Sequence, residues 1–266
     1  NDIYFAYSYE RVTPGENYYN SISNYYRVFA GIDDYSAKKC KQFLEKIINT
    51  KKFPLTQLKT ITDCETCKII ENTYRAVNIA LLDELTKFSI ENKIDTKSIL
   101  KAIRLRSTHK NIMNPGLGVG GYCLTKDPKF LEYSSKNILK SKNRFPIIKK
   151  STLINLNMVN TSVDYIKKKL KTFKNKKILL VGISYKEDVD DTRFSPSLEL
   201  AKKLVKKGAK LDIYDPYFIK RNISPYSFVK KMNFSKYESV LFCVGHKEIK
   251  NLNIKFFHKK PIYFDL

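Results

Sequence analysis

The amino-acid sequence predicts an α/β protein with a helical middle and a C-terminal, doubly wound parallel sheet, preceded by the tail of a further α/β domain. Three observations carry this. From residue 176 onward, short apolar runs alternate with helical stretches, the pattern of a parallel sheet. Residues 63–173 are dominated by long helical periodicities. Residues 1–62 mix strand and helix signals, so the expected divisions are 1–62, 63–174 and 175–266.

Taken in order, "IYFAYS" is strand-like, "VTPGENYYN" is a turn region, and "YYRVFAGI" is a second strand ending at Gly31. "DYSAKKCKQFLEKIINT" spaces Cys40, Phe43, Leu44, Ile47 and Ile48 as a helix does. Residues 63–89 form a long helix with Asp63 as N-cap, Glu65 placed to suit the helix dipole, and an apolar stripe of Ile70, Val77, Leu81 and Leu85. Residues 95–106 form a shorter helix capped by Asp95. The next helix is expected to open near Asp127-Pro128, since proline is tolerated at a helix start, and another covers 146–173 with Pro146 in its first turn. "KKILLVGISYK" (176–186) is a buried-type strand ending in a glycine turn, and "SPSLELAKKLVKKG" (195–208) is a helix stopped by Gly208. "AKLDIYDPYF", "YESVLFCVGH" (237–246) and "KPIYFDL" (260–266) supply the remaining strands.

The chain has 266 residues and is 42% apolar, enough for a buried core, with no apolar run long enough to cross a membrane. Net charge is +24, which raises nucleic-acid binding as one reading. Against it, the excess is mostly lysine spread along the chain, and no nucleic-acid-binding signature occurs. No specific nucleic-acid or membrane partner is therefore expected. Five cysteines at irregular spacing do not make a disulfide framework, and no secretory leader opens the chain. A reducing, cytoplasmic setting is expected. The first residue is not Met, so a fragment or processed chain is expected.

The stretch "NPGLGVGGYCLTKDP" (114–128) concentrates the chemistry. Gly116, Gly118 and Gly121 match G-x-G-x-x-G, but they follow "HKNIMNP", which is no strand, so a dinucleotide loop is disfavoured. The alternative is a loop whose glycines let backbone approach a ligand and present Cys123 near a helix start. That helix start and Lys126 would favour thiolate, and Asp127 could orient water or take a proton. A small residue in a tight loop is the ordinary reading of the same cysteine. On the helix 63–89, Lys68, Asn72 and Arg75 lie three and four apart on one face, fit either to hold an oxyanion or simply to meet solvent. Cys64-x-x-Cys67 lacks further ligands nearby, and no metal site is expected. "GISYKEDVDDTRFSPS" follows a strand and precedes a helix, where such sheets bind ligands, with Lys186, Arg193 and the helix start at Ser195-Pro196 as an anion site or a merely basic loop.

These pieces, with "YSYERVTPG" (7–15), "CKIIENTYRAVNIALLDEL" (67–85), "ISYKEDVDDTRFSPSLEL" (183–200) and "YDPY" (214–217), together resemble the UDP-glucose/UDP-N-acetylhexosamine (GDP-mannose) 6-dehydrogenase family over almost the whole chain. The resemblance implies a central helical dimerisation domain, a Rossmann-like UDP-sugar-binding domain, a homodimer, and NAD as cofactor. It implies NAD-dependent oxidation of the sugar C6 alcohol to a carboxylate in two steps, in polysaccharide biosynthesis. Cys123 would be the nucleophile, through a thiohemiacetal and a thioester. Lys68 would stabilise the C6 alkoxide and later oxyanions, and Asn72 would hold the same oxygen or a water. Asp127 would help to activate water, and Glu10 matches the carboxylate linked to thioester hydrolysis. Arg75, Lys186 and the loop of Asn114, Pro115, Gly116, Leu117, Gly118 and Gly120 would contact the UDP-sugar. Lys126 and Arg193 would face the cofactor.

"ERVTPG" and "ENTYRAVNIAL" resemble the branch acting on UDP-N-acetylhexosamines such as UDP-N-acetylmannosamine, which is the substrate expected; "GGYCLTKD" is closer to UDP-glucose enzymes. The family begins with an NAD-binding domain, of which residues 1–62 match only the final portion. A truncated form with little turnover of its own, or a UDP-sugar-binding remnant, is expected.

Overall fold

The computed structural model describes residues 3–15, 17–219, 226–252 and 261–266. It divides into two compact units, residues 1–72 with 130–142, and residues 73–129 with 143–266.

In the first unit, β1 (Ala6–Tyr9) pairs antiparallel with β2 (Val28–Gly31), which pairs in parallel with the short β3 (Thr56–Gln57). The side-chain period of two is visible on β2. Val28 and Ala30 pack with Tyr9 and Cys64, while Phe29 meets Ala37 and Leu44 on the opposite face. The expected strand "YYRVFAGI" contracts to Val28–Gly31, with Tyr25 and Tyr26 exposed ahead of it. The expected turn region gives way to a short helix, α1 (Tyr18–Ser23). Helix α2 (Asp34–Leu44) starts under Asp33, which accepts the Ser36 N–H at 2.7 Å, and ends six residues before the expected Thr50.

Helix α3 (Ile61–Glu91) begins two residues before the expected N-cap. Thr60 is the cap: its hydroxyl accepts the Asp63 N–H and its own N–H donates to the Asp63 carboxylate, both at 3.0 Å. The reciprocal pair is a capping box with Asp63 in its third position. The apolar stripe on this helix faces outward. Ile70, Leu81 and Leu85 are 52%, 51% and 46% exposed, while the buried side carries Ala76, Ala80, Leu82 and the polar Thr73 and Asp83. Helix α4 (Thr96–Ile103) is capped by Asp95 as expected.

Helix α5 (Tyr122–Tyr133) opens at Tyr122, not at Asp127-Pro128, and Pro128 lies inside it. The chain turns into the helix at Gly121, whose φ of 77° favours glycine, and Thr125 donates to the Gly121 carbonyl at 2.8 Å. Helix α6 (Pro146–Leu170) has Pro146 in its first turn.

The second unit is built on a five-stranded parallel sheet of β4 (Lys177–Val181), β5 (Lys210–Tyr214), β6 (Ser227–Phe228), β7 (Ser239–Phe242) and β8 (Ile262–Asp265) in the order β6-β5-β4-β7-β8. The expected final strand includes Lys260, which lies outside the described residues. Alternate residues serve two cores. Ile178, Leu180, Ile213 and Leu241 face α6 and the helix after β4, α7 (Pro196–Lys206). Leu179, Val181, Tyr214 and Val240 face Phe234, Tyr237 and Ile249, the last on α8 (Lys247–Lys250). Burial on both faces explains why these strands read as continuous apolar runs. Helix α7 has Ser195 as N-cap and ends before Gly208, at φ 88°.

Strand order reverses between β4 and β7, and the loop leaving β4 there is pinned by a buried carboxylate. Asp215 is fully buried and accepts the Ile183 N–H at 2.7 Å, the Ser184 N–H at 3.3 Å and the Tyr217 N–H at 3.0 Å. His246, also fully buried, places Nε2 3.2 Å from the same carboxylate, and its Nδ1 accepts the Asp188 N–H at 2.9 Å. Burial pushes the Asp215 carboxyl up, but the His246 contact and the backbone donors hold it below the usual carboxylate range. A depressed folded-state value contributes stability above the ordinary carboxylate pKa and loses it as pH falls. Asp215→Ala leaves these backbone donors orphaned, so urea denaturation at neutral pH should read a loss of about 3 kcal/mol or more. The variant should also lose less of its remaining stability than the wild type between pH 6 and about pH 3. An unchanged midpoint would show that the loop does not depend on Asp215.

Candidate functional site

The first unit gathers Glu10 and Lys68. The Lys68 ammonium donates to the Glu10 carbonyl oxygen at 2.9 Å and lies 5.4 Å from the centre of the Tyr9 ring. The Glu10 carboxylate is exposed and accepts the N–H of Val12, closing a local turn. Asn72, one helical turn beyond Lys68, is buried.

Behind them is a network that sequence reasoning missed. Arg11 Nε donates to both Glu71 oxygens, at 3.0 and 3.1 Å, and its Nη1 donates to the Tyr26 carbonyl at 2.7 Å. The Tyr9 hydroxyl donates to Glu71 at 2.9 Å and is 3.1 Å from Cys67 Sγ. Burial pushes the Glu71 carboxyl up, but the Arg11 and Tyr9 hydrogen bonds bring it below the usual range. This bidentate arginine clamp fixes the segment just after β1, which carries Glu10, to α3, which carries Lys68. The available signal was Arg11 directly after Glu10, with Glu71 one turn after Cys67 on the predicted helix. Of the pair Cys64-x-x-Cys67, Cys64 is buried in the core with Tyr9, Val28 and Ala30, and Cys67 packs at its edge.

The second unit holds the glycine loop and Cys123. The loop is a packed wedge. A Cβ on Gly118 would stand 2.4 Å from the Asn155 carbonyl oxygen on α6, and one on Gly120 would stand 2.7 Å from Pro196 at the start of α7. A Cβ on Gly121 would enter the Tyr185 ring at 2.7 Å. Only Gly116 of these faces open space, with nothing within 4 Å. Leu117 anchors the loop in the main core, and the Gly121 N–H donates to the Arg193 carbonyl at 3.1 Å. Asn114 receives an Arg104 N–H at 2.5 Å, and Pro115 is half-buried beside it.

The loop delivers Cys123 into the first turn of α5 with its side chain exposed. Asp127, one turn on and so on the same helix face, is buried, and the Lys126 ammonium lies 2.5 Å from its carboxylate. Tyr185 packs against Gly121. Burial pushes its phenol up, as do the nearby Asp191 and Cys123, while Arg193 and Arg75 pull it down. Arg75, Cys123 and Arg193 are thus within electrostatic reach of one ring. Tyr185 was not a sequence-predicted site residue; its signal was its place in "SYK" at the end of a predicted strand. Arg193 is held by Asp191 through Nε at 3.0 and 3.1 Å and Nη2 at 2.7 Å. Lys186 is exposed on the loop that Asp215 and His246 pin.

The start of α7, the expected anion site, borders a cavity of about 710 Å³ whose walls include Leu117, Leu156, Phe194, Lys126, Lys129 and Lys202. Its apolar body with a few lysines has the make-up of a small-molecule site. No strand–glycine loop–helix unit with dinucleotide spacing is formed by Gly116, Gly118 and Gly121, because two of the three are filled by Asn155 and Tyr185.

Comparison with known proteins gives matches over both regions. Residues 62–157 match the central domain of the UDP-glucose/GDP-mannose dehydrogenase family, and residues 179–266 match its UDP binding domain. The chain is similar to a UDP-N-acetyl-D-mannosamine dehydrogenase of Methanocaldococcus jannaschii, 38% identical over 81% of this chain and 47% of that protein. It is also similar to a UDP-N-acetyl-D-glucosamine 6-dehydrogenase of Salmonella typhi, 31% identical over 100% of this chain and 63% of that protein. A solved UDP-D-ManNAc dehydrogenase structure from Pyrococcus horikoshii superposes with a TM-score of 0.76 at 26% identity, covering 95% of this chain and 57% of that one. The chain spans about half the length of the curated relatives it matches. With both regions matched in order and over most of its length, the chain belongs to the UDP-glucose/GDP-mannose dehydrogenase family.

Proposed function

We propose that this chain carries the substrate side of a nucleotide-sugar 6-dehydrogenase that oxidises a UDP-hexose, a UDP-N-acetylhexosamine first, to the uronate. The observation that carries this reading is the presentation of Cys123: an exposed thiol on the first turn of α5, one turn from buried Asp127, behind a loop in which Gly118, Gly120 and Gly121 have no room for a Cβ. The names of similar proteins, UDP-N-acetyl-D-mannosamine dehydrogenases in the main, support the choice of sugar.

NAD is the oxidant implied, and it would remove a hydride at each of two stages. The described residues do not form a dinucleotide cradle, and the two cations assigned to the cofactor, Lys126 and Arg193, rest on Asp127 and Asp191. The chain's own groups have the following roles. Lys68 donates to the C6 oxygen and stabilises negative charge there, and Asn72 shares that oxygen. The Cys123 thiolate adds to the C6 carbonyl carbon of the aldehyde, making a C–S bond and a thiohemiacetal. At the thioester stage, water attacks the same carbon, the C–S bond breaks and the thiolate leaves. Asp127 takes the proton of that water, and Glu10 assists the hydrolysis. Lys186 and Arg75 meet the diphosphate, and the loop from Asn114 to Gly120 lies along the nucleotide. The chain also pairs with a second copy of itself through α3, whose outward face carries Tyr74, Leu81, Leu85 and Phe88, each 46–56% exposed.

Calorimetry should detect one UDP-N-acetylhexosamine per chain, and this chain with NAD should form little NADH. Cys123→Ala should leave the affinity within about twofold. Failure of the wild type to bind any UDP-sugar would refute the assignment. Alkylation offers an independent check. Burial pushes the Cys64 thiol up to about 11 and also raises Cys40 and Cys243, whereas Cys123 is exposed. Iodoacetamide at neutral pH should therefore label Cys123 first, read by peptide mass spectrometry; prior labelling of Cys64 or Cys243 contradicts the geometry. Leu81→Glu with Leu85→Glu should convert a dimer to a monomer in sedimentation velocity, and an unchanged sedimentation coefficient would place any self-association elsewhere.

A further inference from the structure

The loop Asn114–Gly120 is gripped from more than one side. On α6, the Asn155 carbonyl leaves no space for a side chain at Gly118. At the start of the loop, Arg104 donates to the carbonyls of Ile112 and Met113, at 3.1 and 3.2 Å, and to the Asn114 side chain. On α3, Asp83 is completely buried and its Oδ1 accepts the Gly116 N–H at 3.0 Å. The other oxygen, Oδ2, is buried without a hydrogen-bond partner. Gly116 is also the loop residue that faces open space, so the one N–H that Asp83 holds belongs to the part of the loop best placed to meet a ligand.

We propose that Asp83 is a positioning residue that sets the loop Asn114–Gly120 through the Gly116 N–H, and that its ionisation state controls how firmly the loop grips a UDP-linked ligand. This rests on reading the loop as a wall of the nucleotide-sugar site. A carboxylate accepts a charge-assisted hydrogen bond, which is shorter and stronger than the bond to a neutral carboxyl. Burial is the main influence on this group and pushes the Asp83 carboxyl up to about 7, with the Gly116 N–H and Lys87 pulling it back. Lys87 lies one turn further along α3, and Arg104 acts on the loop's leading residues. The loop itself has no titratable side chain, and its α6 neighbours Asn155 and Met158 carry no charge.

The sign of the effect is unusual. An acid whose folded-state value is raised favours the fold below the ordinary carboxylate range and loses that contribution as pH rises toward 7. The grip on the loop follows the opposite course, being strongest above 7, where Asp83 is ionised. Stability and ligand affinity are therefore expected to move in opposite directions with pH, and Asp83→Asn should remove both trends.

The test is an amide NMR titration of the full chain, wild type and Asp83→Asn, paired with calorimetry using UDP-N-acetylglucosamine, whose diphosphate does not titrate in this range. In the wild type, the Gly116 amide resonance should titrate with a midpoint near pH 7, and affinity should fall roughly fivefold from about pH 8 to pH 6. In Asp83→Asn, the resonance and the affinity should both be flat with pH, while the circular dichroism spectrum stays that of the wild type. A wild-type Gly116 resonance that does not move over this range overturns the proposal, as does a variant that keeps the wild-type pH profile. If no UDP-sugar binds at any pH, the reading of the site fails, and the amide titration still decides whether Asp83 controls the loop.

Discussion

The structure depends on a steric constraint: at Gly118, Gly120 and Gly121 there is no room for a Cβ. The loop before α5 runs between α6 and the segment that leads into α7, and backbone meets backbone at both. Any larger residue would push the loop off α6 or off Tyr185, and the first turn of α5 would move with it. The exposure of Cys123 is thus a consequence of close backbone packing two to five residues upstream. The glycines that resemble a phosphate loop in sequence serve here to bring the loop against its own protein, leaving only Gly116 free to meet a ligand.

Two buried aspartates each hold a loop of the second unit, and they do so in opposite electrostatic regimes. Asp215 is saturated: three backbone N–H groups and His246 surround it, and the hydrogen bonds outweigh its desolvation. Asp83 has one donor and an unpartnered oxygen, and desolvation wins. The first arrangement makes a fixed anchor for the loop that carries Lys186. The second makes an anchor that responds to protons. Burial alone does not separate them, since both are fully buried; the number of donors does.

Much of the fold was legible because local chemistry and tertiary packing agree. The C-terminal strands are buried on both faces and read as apolar runs; Asp95, Pro146 and Ser195 mark helix starts where the structure has them. The misplaced elements come from conflicts between signals. Pro128 reads in sequence as a helix opener, yet the turn is set by Gly121 and by Thr125 donating to its carbonyl. The apolar stripe of α3 was visible, but not its direction: small residues such as Ala76 and Ala80 face inward, and the large ones face out. Among the candidate residues, Lys68 lies on the expected helix beside Glu10, whereas Cys123 lies inside the first turn of α5 rather than in the loop before it, and Asp127 lies one turn inside the helix it was expected to open. Asp83, Tyr185 and the Asp215–His246 pair were missed, because each acts through a partner 31 to 64 residues away or through loss of water, and neither leaves a spacing to read.

In the proposed function, the glycine loop lays a UDP-linked sugar against the Cys123 sulfur. A UDP-hexose carrying a haloacetamide at C6 tests it directly, with the adduct located by peptide mass spectrometry. One label per chain is expected, on Cys123, suppressed by excess UDP-N-acetylglucosamine. Labelling spread over Cys40 and Cys67, or labelling of Cys123 that excess UDP-sugar does not suppress, would contradict it.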